Sequence, residues 1–203
     1  RVSSDGVRPA LPWRTVGPLA VVFAALGILF GAAEVTTVAF ADEQGHRAWS
    51  GGLLALWALG SLTAGAVTGT IAWRRGPTVR VQIGAAGMAL AMAPLYFVDS
   101  LAVMGALLLL GGVAIAPTMI ASLSLTEERV PPARLTEGMA IMQTGVVAGV
   151  APGATLSGFV VDHHGASAAY LVSLAAGVVA ALAARALPRD PRPAEPRRTP
   201  VAS

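Results

Sequence analysis

The chain has few charged residues, few aromatic residues and no cysteine. Among its 203 residues, charged side chains make up 12% and aromatic side chains 5%, and Cys is absent. The absence of Cys excludes a disulfide framework and thiol catalysis. It also means that the sequence does not indicate whether the protein's compartment is oxidising or reducing. Soluble domains carry about 25% charged residues, so roughly half that fraction indicates lipid as the solvent for most of this chain.

What the chain has instead is apolar and small residues. Hydrophobic residues form 55% of it, and the mean hydropathy is +0.67. Abundant Ala and Gly favour helices that pack closely within a bilayer. An isoelectric point near 10.5 raises the question of nucleic acid. The basic residues are scattered over separated loops rather than massed on one element, so we expect anionic lipid headgroups and no nucleic acid as partners.

Six apolar runs are long enough to cross the hydrocarbon core, which takes about 20 residues. The sequence therefore predicts an all-α membrane protein with a cytoplasmic linker over 1–15, a six-helix transmembrane domain over 16–187 and a disordered cytoplasmic tail over 188–203. Short connections are expected to make consecutive helices antiparallel neighbours, and Pro117 and Pro152 are expected to bend their helices. The predicted spans are residues 16–40, 51–73, 79–97, 101–125, 135–161 and 166–187.

The basic residues predict the orientation. All fourteen are Arg, and all but Arg47 lie before the first span, in or beside the connection after the second, in the connection after the fourth, or at and beyond the end of the sixth. The positive-inside rule places these four segments in the cytoplasm, so both termini lie inside, as an even number of spans requires. We expect a multi-pass protein of the plasma membrane of a bacterium. An aromatic belt is predicted from Trp13 and Trp73 at the inner level and from Trp49, Tyr96 and Tyr170 at the outer level.

Two glycine patterns relate the second span to the fifth. Residues 69–76 and 158–165 both read Gly, six intervening residues, Gly, and they exit the membrane on opposite sides, as two inverted three-helix repeats would. Both spans also carry small residues at intervals of four, which leave a groove for another helix. That groove predicts packing either within the unit or against a second six-helix unit. The small residues are Ser61, Gly65 and Gly69 in the second span, and Gly145, Gly149, Gly153 and Ser157 in the fifth.

On these features the chain resembles the carboxy-terminal half of a major facilitator superfamily transporter of the bacterial efflux-permease type. The family's loop motif after its second helix is matched by Gly69, Arg74 and Gly76, and Ala72 fits a common variant. Trp73 stands in place of the motif's Asp, and 77–78 replace its basic pair. The segment 127–131, followed by Gly138, is similar to a connection in family efflux proteins. The resemblance implies that the first, fourth and second or fifth helices line a cavity, whereas the third and sixth face lipid.

Glu34 is the one charged residue that lies in the interior of a predicted span, more than three residues from either end. It lies about six residues beyond the middle of its helix, which is roughly 9 Å at 1.5 Å per residue. An ionised carboxylate there needs a cavity or a partner, and otherwise it takes up a proton. Glu34 is therefore a candidate for proton coupling. The alternative is a carboxyl group near the interface that bonds a neighbouring helix.

Five other residues are candidates for lining a substrate cavity: Thr37, Thr118, Ser122, Met142 and Gln143. For the Ser and Thr residues the alternative is a hydrogen bond to their own helix backbone. The segment 162–164 holds one Asp and two His, but adjacent His residues do not readily ligate from one helix face, so we expect a solvated loop and no metal. No catalytic triad or phosphate loop is present, and neither an enzyme nor a cofactor is expected.

The function predicted from the sequence is transport of a small organic solute, coupled to protons and directed outward. Such a transporter has two six-helix halves around a central site. The second half would be a missing part of the same chain, a separate subunit or a second copy of this chain. An initial Arg in place of Met favours a fragment, a processed product or a truncated reading frame. The alternative function is a membrane scaffold that does not transport, or an inactive fragment.

Overall fold

A computed structural model describes residues 9–71, 73 and 75–190, and within these ranges the chain forms helices and no strand. Three short 3₁₀ segments extend the helices, at Arg47–Trp49, Ala93–Phe97 and Pro132–Arg134. The α-helices are α1 (Trp13–Glu43), α2 (Ser50–Thr70), α3 (Pro77–Met92), α4 (Leu101–Gly112), α5 (Ile115–Arg129), α6 (Leu135–His164) and α7 (Ala166–Arg185).

The helices form six segments that are long and apolar enough to cross a membrane, which confirms the predicted fold class. The second span is Arg47–Thr70, the third Pro77–Phe97, the fourth Leu101–Arg129 and the fifth Pro132–His164, with α1 and α7 as the first and last. The predicted boundaries agree to within a few residues. Of the residues used in the sequence predictions, Arg74, Ala72, all of 1–8 and all of 191–203 lie outside the described ranges.

The fourth span is broken at its middle, between α4 and α5. Helix α4 ends at Gly112 and α5 begins at Ile115, so the break precedes Pro117 by a few residues. Proline clashes with the carbonyl group four residues earlier, which here belongs to Val113, and it also lacks the N–H that would bond to that group. The bend predicted for this span therefore falls at residues 113–114. By contrast, α6 runs through Pro152 without interruption.

Helix pairing follows a two-fold pattern that exchanges the first three spans with the last three. The most extensive contacts join α1 to α6 and α1 to α7, and their counterparts join α4–α5 to α2 and to α3. Exchanging the two sets of three spans swaps α3 with α7, so the contact between these two helices is its own counterpart. Two inverted repeats predict this symmetry. The consecutive helices α1 and α2 are in contact, as expected, but α1 packs far more extensively on α6 and α7 than on α2.

Glycines form the closest crossings in both symmetry-related pairs. A Cβ atom on Gly149 of α6 would overlap the Ala24 carbonyl of α1 and lie 2.8 Å from the Ile28 backbone nitrogen. In the other pair, a Cβ atom on Gly60 of α2 would lie 3.2 Å from the Gly112 Cα atom of α4. Only glycine lets the backbones approach this closely, so these positions fix how the helices cross.

The last described residues join three elements at the basic end of the bundle, the end that carries Arg75, Arg129 and Arg185. An Asp190 carboxylate oxygen accepts a hydrogen bond from the Thr78 backbone N–H (3.3 Å) in the first turn of α3. The same oxygen lies 3.3 Å from the Arg129 guanidinium at the end of α5, and both side chains are about four-fifths buried. The predicted disordered tail therefore does not begin at 188, since residues up to Asp190 are bound to the bundle.

Candidate functional site

Glu34 lies on the exposed side of α1, in a groove between α1 and α2 at the end opposite the basic end. The groove has a volume of about 470 Å³, and the other residues along it include Val38, Leu54, Asp42 and Arg47. Arg47 lies 3.9 Å from the Asp42 carboxylate. Among the described residues, no basic group lies within 4 Å of the Glu34 carboxylate. The groove therefore presents one carboxylate without a close counter-ion beside an exposed ion pair.

Thr37 does not share this groove, although it lies one turn from Glu34. Its side chain is fully buried, and its hydroxyl group forms a 2.9 Å hydrogen bond with the Tyr170 hydroxyl group of α7. Tyr170 is also fully buried, so its predicted place in an outer aromatic belt is wrong. Trp13, Trp49, Trp73 and Tyr96 are 40% to 65% exposed, as residues of such a belt would be.

Thr118 and Ser122 of α5 face the inside of the bundle. Both are fully buried, and each donates a hydrogen bond to the carbonyl group four residues earlier, Thr118 to Ala114 (2.6 Å) and Ser122 to Thr118 (2.8 Å). The Thr118 hydroxyl group also fills the space where a side chain on Gly84 of α3 would stand. Both hydroxyl groups therefore bond the backbone of their own helix, which the sequence analysis gave as the alternative to lining a cavity.

Met142 and Gln143 are adjacent on α6 and point in different directions. Met142 is fully buried, and its sulfur accepts a 3.1 Å hydrogen bond from the Thr126 hydroxyl group. Gln143 is exposed. Of the five predicted cavity residues, Gln143 alone therefore reaches an open face, contrary to the expectation for Thr37, Thr118, Ser122 and Met142.

Since α1 and α6 are parallel, with Ile28 beside Gly153, Gln143 lies roughly 20 Å along the axis from Glu34.

The predicted small-residue ridges lie partly inside the unit and partly on its surface. Gly145, Gly149 and Gly153 face the α1 backbone, and Ser157 is buried on the same side of α6. On α2, a Cβ atom on Gly65 would lie 3.0 Å from Ala116, whereas Gly69 has no neighbouring atom within 4 Å. The Ser61 backbone nitrogen lies at the crossing with Gly112. Packing within the unit thus uses most of both ridges and leaves the Gly69 end of α2 open.

The exposed faces of the helices differ in composition. On α3 and α7 the exposed side chains between the helix ends are aliphatic, for example Ile83, Leu90 and Leu182. Helices α2 and α6 are the least buried spans. Their exposed faces mix bulky residues with small and polar ones, among them Thr63, Ala66, Thr144, Ala148 and Thr155. Aliphatic faces suit lipid, whereas small and polar residues suit contact with further helices.

The two glycine strings that echo each other adopt different local structures. In the first, α2 ends at Thr70 and the next helix, α3, begins at Pro77, directly after Gly76. In the second, α6 stays helical to His164, and Gly165 has a positive φ of 84°. That φ leads directly into α7, whose first N–H, on Ala166, donates a 2.8 Å hydrogen bond to the Glu43 carboxylate. The symmetry of the fold therefore resides in the helix pairing rather than in these strings.

Comparison with protein families agrees with the pairing of the helices. The sequence profile of the Major Facilitator Superfamily matches residues 83–203, which is more than half of the chain. No curated protein matches the chain. The match agrees with the six candidate membrane spans and the two-fold pattern of helix contacts. The chain belongs to the Major Facilitator Superfamily, a family of secondary transporters.

Proposed function

We propose that this chain is the carboxy-terminal six-helix half of an exporter that moves a small organic solute out of a bacterial cell in exchange for protons. The observation that carries the proposal is Glu34, an exposed carboxylate in the first span, in a groove between α1 and α2. Among the described residues no basic group lies within 4 Å of this carboxylate, and acidic residues within spans serve in the proton relays of transporters.

The second half would pack against α2 and α6. These helices are the least buried spans and expose small and polar residues, and Gly69 has open space around it. A second unit on these faces would enclose the side of α1 that carries Glu34. The outward direction of transport rests on the resemblance of residues 127–131 and Gly138 to family efflux proteins, and the cytoplasmic termini rest on the Arg distribution.

The test is solute-driven proton movement in sealed vesicles. The chain is reconstituted together with its second six-helix half into vesicles loaded with a pH-sensitive dye, and a panel of small organic solutes is screened for proton flux. Replacing Glu34 by Gln keeps the shape of the side chain and removes its titration. We expect Glu34→Gln to lower solute-driven proton flux at least tenfold while exchange of solute at equal pH on both sides continues.

The matched control is Asp99→Asn, which makes the same chemical change at an exposed carboxylate in a connection between spans. This variant should keep both proton flux and solute exchange. Full proton coupling in Glu34→Gln would contradict the role of Glu34. Loss of solute exchange in both variants would point to a folding defect, which size-exclusion chromatography identifies independently.

A further inference from the structure

A second groove, separate from the one at Glu34, runs between α3 and the broken fourth span. Its volume is about 410 Å³, and its walls include Gly84 and Gly87 of α3 and Leu110, Val113 and Pro117 of the fourth span. The break between α4 and α5 and the missing side chain of Gly87 leave room here, whereas the space beside Gly84 is taken by the Thr118 hydroxyl group. The residues along its length are apolar, so the groove is suited to a hydrocarbon chain rather than to a polar solute.

The mouth of this groove carries two arginines and a tryptophan. Arg75, Arg80 and Trp73 line it at the basic end of the bundle. The Trp73 indole N–H donates a 3.1 Å hydrogen bond to the Thr68 carbonyl group, and the Arg80 guanidinium lies 4.6 Å from the indole ring centre. These two contacts hold the Arg80 charge over the mouth. Glu128 attracts Arg80 electrostatically, but no carboxylate among the described residues lies within 4 Å of Arg75 or Arg80.

The position and length of the groove fit one leaflet of a bilayer. From Arg80 to Gly87 the α3 axis rises roughly 10 Å, and Leu110 and Val113 lie near the middle of the fourth span. The groove therefore runs from the headgroup level towards the bilayer centre, which is about 15 Å from the edge of the hydrocarbon. It opens beside the aliphatic face of α3, and α2 makes no extensive contact with α3 that would close it.

We infer that this groove binds an anionic phospholipid of the cytoplasmic leaflet, with its phosphate between Arg75 and Arg80 and one acyl chain along Gly84, Gly87 and Val113. Charge complementarity selects an anionic headgroup, because two guanidinium groups face the mouth and none of the described carboxylates is within salt-bridge distance of them. The apolar walls select a lipid over a free phosphate. The Trp73 ring lies at the level where indole rings favour the membrane interface.

The experiment is native mass spectrometry of the purified chain released from mixed micelles. The probes are phosphatidylglycerol and phosphatidylcholine with identical acyl chains. We expect the unmodified chain to retain phosphatidylglycerol in preference to phosphatidylcholine. The double variant Arg75→Gln, Arg80→Gln should lower the retention of phosphatidylglycerol, by about fivefold for each arginine if each contributes the usual attraction to an anionic lipid.

A second variant tests the acyl-chain part of the site. A Cβ atom on Gly87 would meet only the Ala114 methyl group, at an ordinary distance of 3.6 Å, and Gly87 lines the groove, so the side chain of Gly87→Leu should take up part of its volume. It should lower the retention of phosphatidylglycerol although both arginines remain. Circular dichroism and size-exclusion chromatography check that each variant is folded.

The control for the loss of positive charge is Arg14→Gln, which removes one exposed arginine at the start of α1, outside the groove. It should bind phosphatidylglycerol as the unmodified chain does. Three results would overturn the proposal: equal retention of the two lipids, an effect of Arg14→Gln as large as that of the double variant, or normal retention in Gly87→Leu. The second result would indicate general attraction to surface charge, and the third a headgroup contact without the groove.

Discussion

At the scale of single residues, the polar side chains of the spans serve two different purposes. Thr118 and Ser122 bond the backbone of their own helix, so their polarity costs little inside the bundle. Thr37 and Tyr170 bond each other across α1 and α7. Within the part of the chain that the structure describes, Glu34 and Gln143 have no such partner, and both lie on open faces. The residues that remain available for a solute or a proton are therefore those that the bundle does not use.

The Thr37–Tyr170 hydrogen bond offers a test of this division. Replacing Thr37 by Val keeps the side-chain shape and leaves the buried Tyr170 hydroxyl group without its partner. We expect a loss of about 1 to 2 kcal/mol in the free energy of unfolding, since an unsatisfied buried hydroxyl group costs more than the bond itself contributes. The measurement is reversible unfolding in mixed detergent micelles.

The control for this prediction is the double variant Thr37→Val, Tyr170→Phe, which removes both hydroxyl groups. It should be more stable than Thr37→Val alone, because no polar group is left unpaired. Additive losses in the double variant would show that the two hydroxyl groups do not stabilise each other. Proton coupling should be unchanged in both variants if Thr37 is structural.

The sequence could not separate these roles at the residue scale. Thr37 and Glu34 are three residues apart on one helix, and both were candidates for function. Which of them meets another helix depends on the rotation of α1 about its axis. That rotation is fixed by the glycines that face α6, Gly27 and Gly31 among them, and by the side chains that face α7.

At the scale of elements, the glycine crossings determine how the helices approach each other. A Cβ atom on Gly149 would overlap the α1 backbone, whereas one on Gly158 of the same helix would meet no atom within 4 Å. In a bilayer, close backbone approach is a main source of helix association. The same change at these two positions should therefore have opposite consequences.

We predict that Gly149→Ala lowers the free energy of unfolding by about 1 to 3 kcal/mol, as overpacking of a tight contact does. Gly158→Ala should be neutral or slightly stabilising, because Ala favours a helix more than Gly. Both variants are compared by unfolding in the same micelles. Equal stability of the two would show that the α1–α6 crossing is not set by Gly149.

The elements themselves were the most predictable level of the structure. Long apolar runs and charged connections place all six spans, because a helix in lipid must be long enough to cross and apolar enough to stay. The break at residues 113–114 was less accessible. Pro117 predicts a bend, but the position of the bend depends on which carbonyl group the proline ring displaces. The sequence also carries no sign that α1 prefers α6 to α2.

At the scale of the whole molecule, the orientation in the membrane follows from the Arg distribution and has a direct test. The absence of Cys means that a single introduced Cys gives an unambiguous signal. Ser100 is exposed in the connection between the third and fourth spans, and Ala133 is exposed in the connection after α5, at the basic end.

We predict that Ser100→Cys reacts with a membrane-impermeant maleimide added to intact spheroplasts, and that Ala133→Cys reacts only after the membrane is permeabilised. The reason is that the connection holding Arg129 and Arg134 stays in the cytoplasm under the positive-inside rule. Labelling of each variant is measured by gel shift, and permeabilised cells show that both sites can react. The opposite pattern would reverse the orientation and place Glu34 near the cytoplasm.

By itself, the sequence determined that the chain is helical, that it has six spans and which segments join them, because hydropathy and charge act locally along the chain. Only the tertiary structure decided which spans pair, that four of five candidate cavity residues are internal, that Tyr170 is buried, and that Asp190 ties α3 to α5. These outcomes depend on backbone contacts between segments far apart in the sequence, above all at glycines, whose spacing predicts a close helix contact but does not identify the partner helix. Glu34 stands out at both levels, because its charge marks it in the sequence and the packing leaves it exposed.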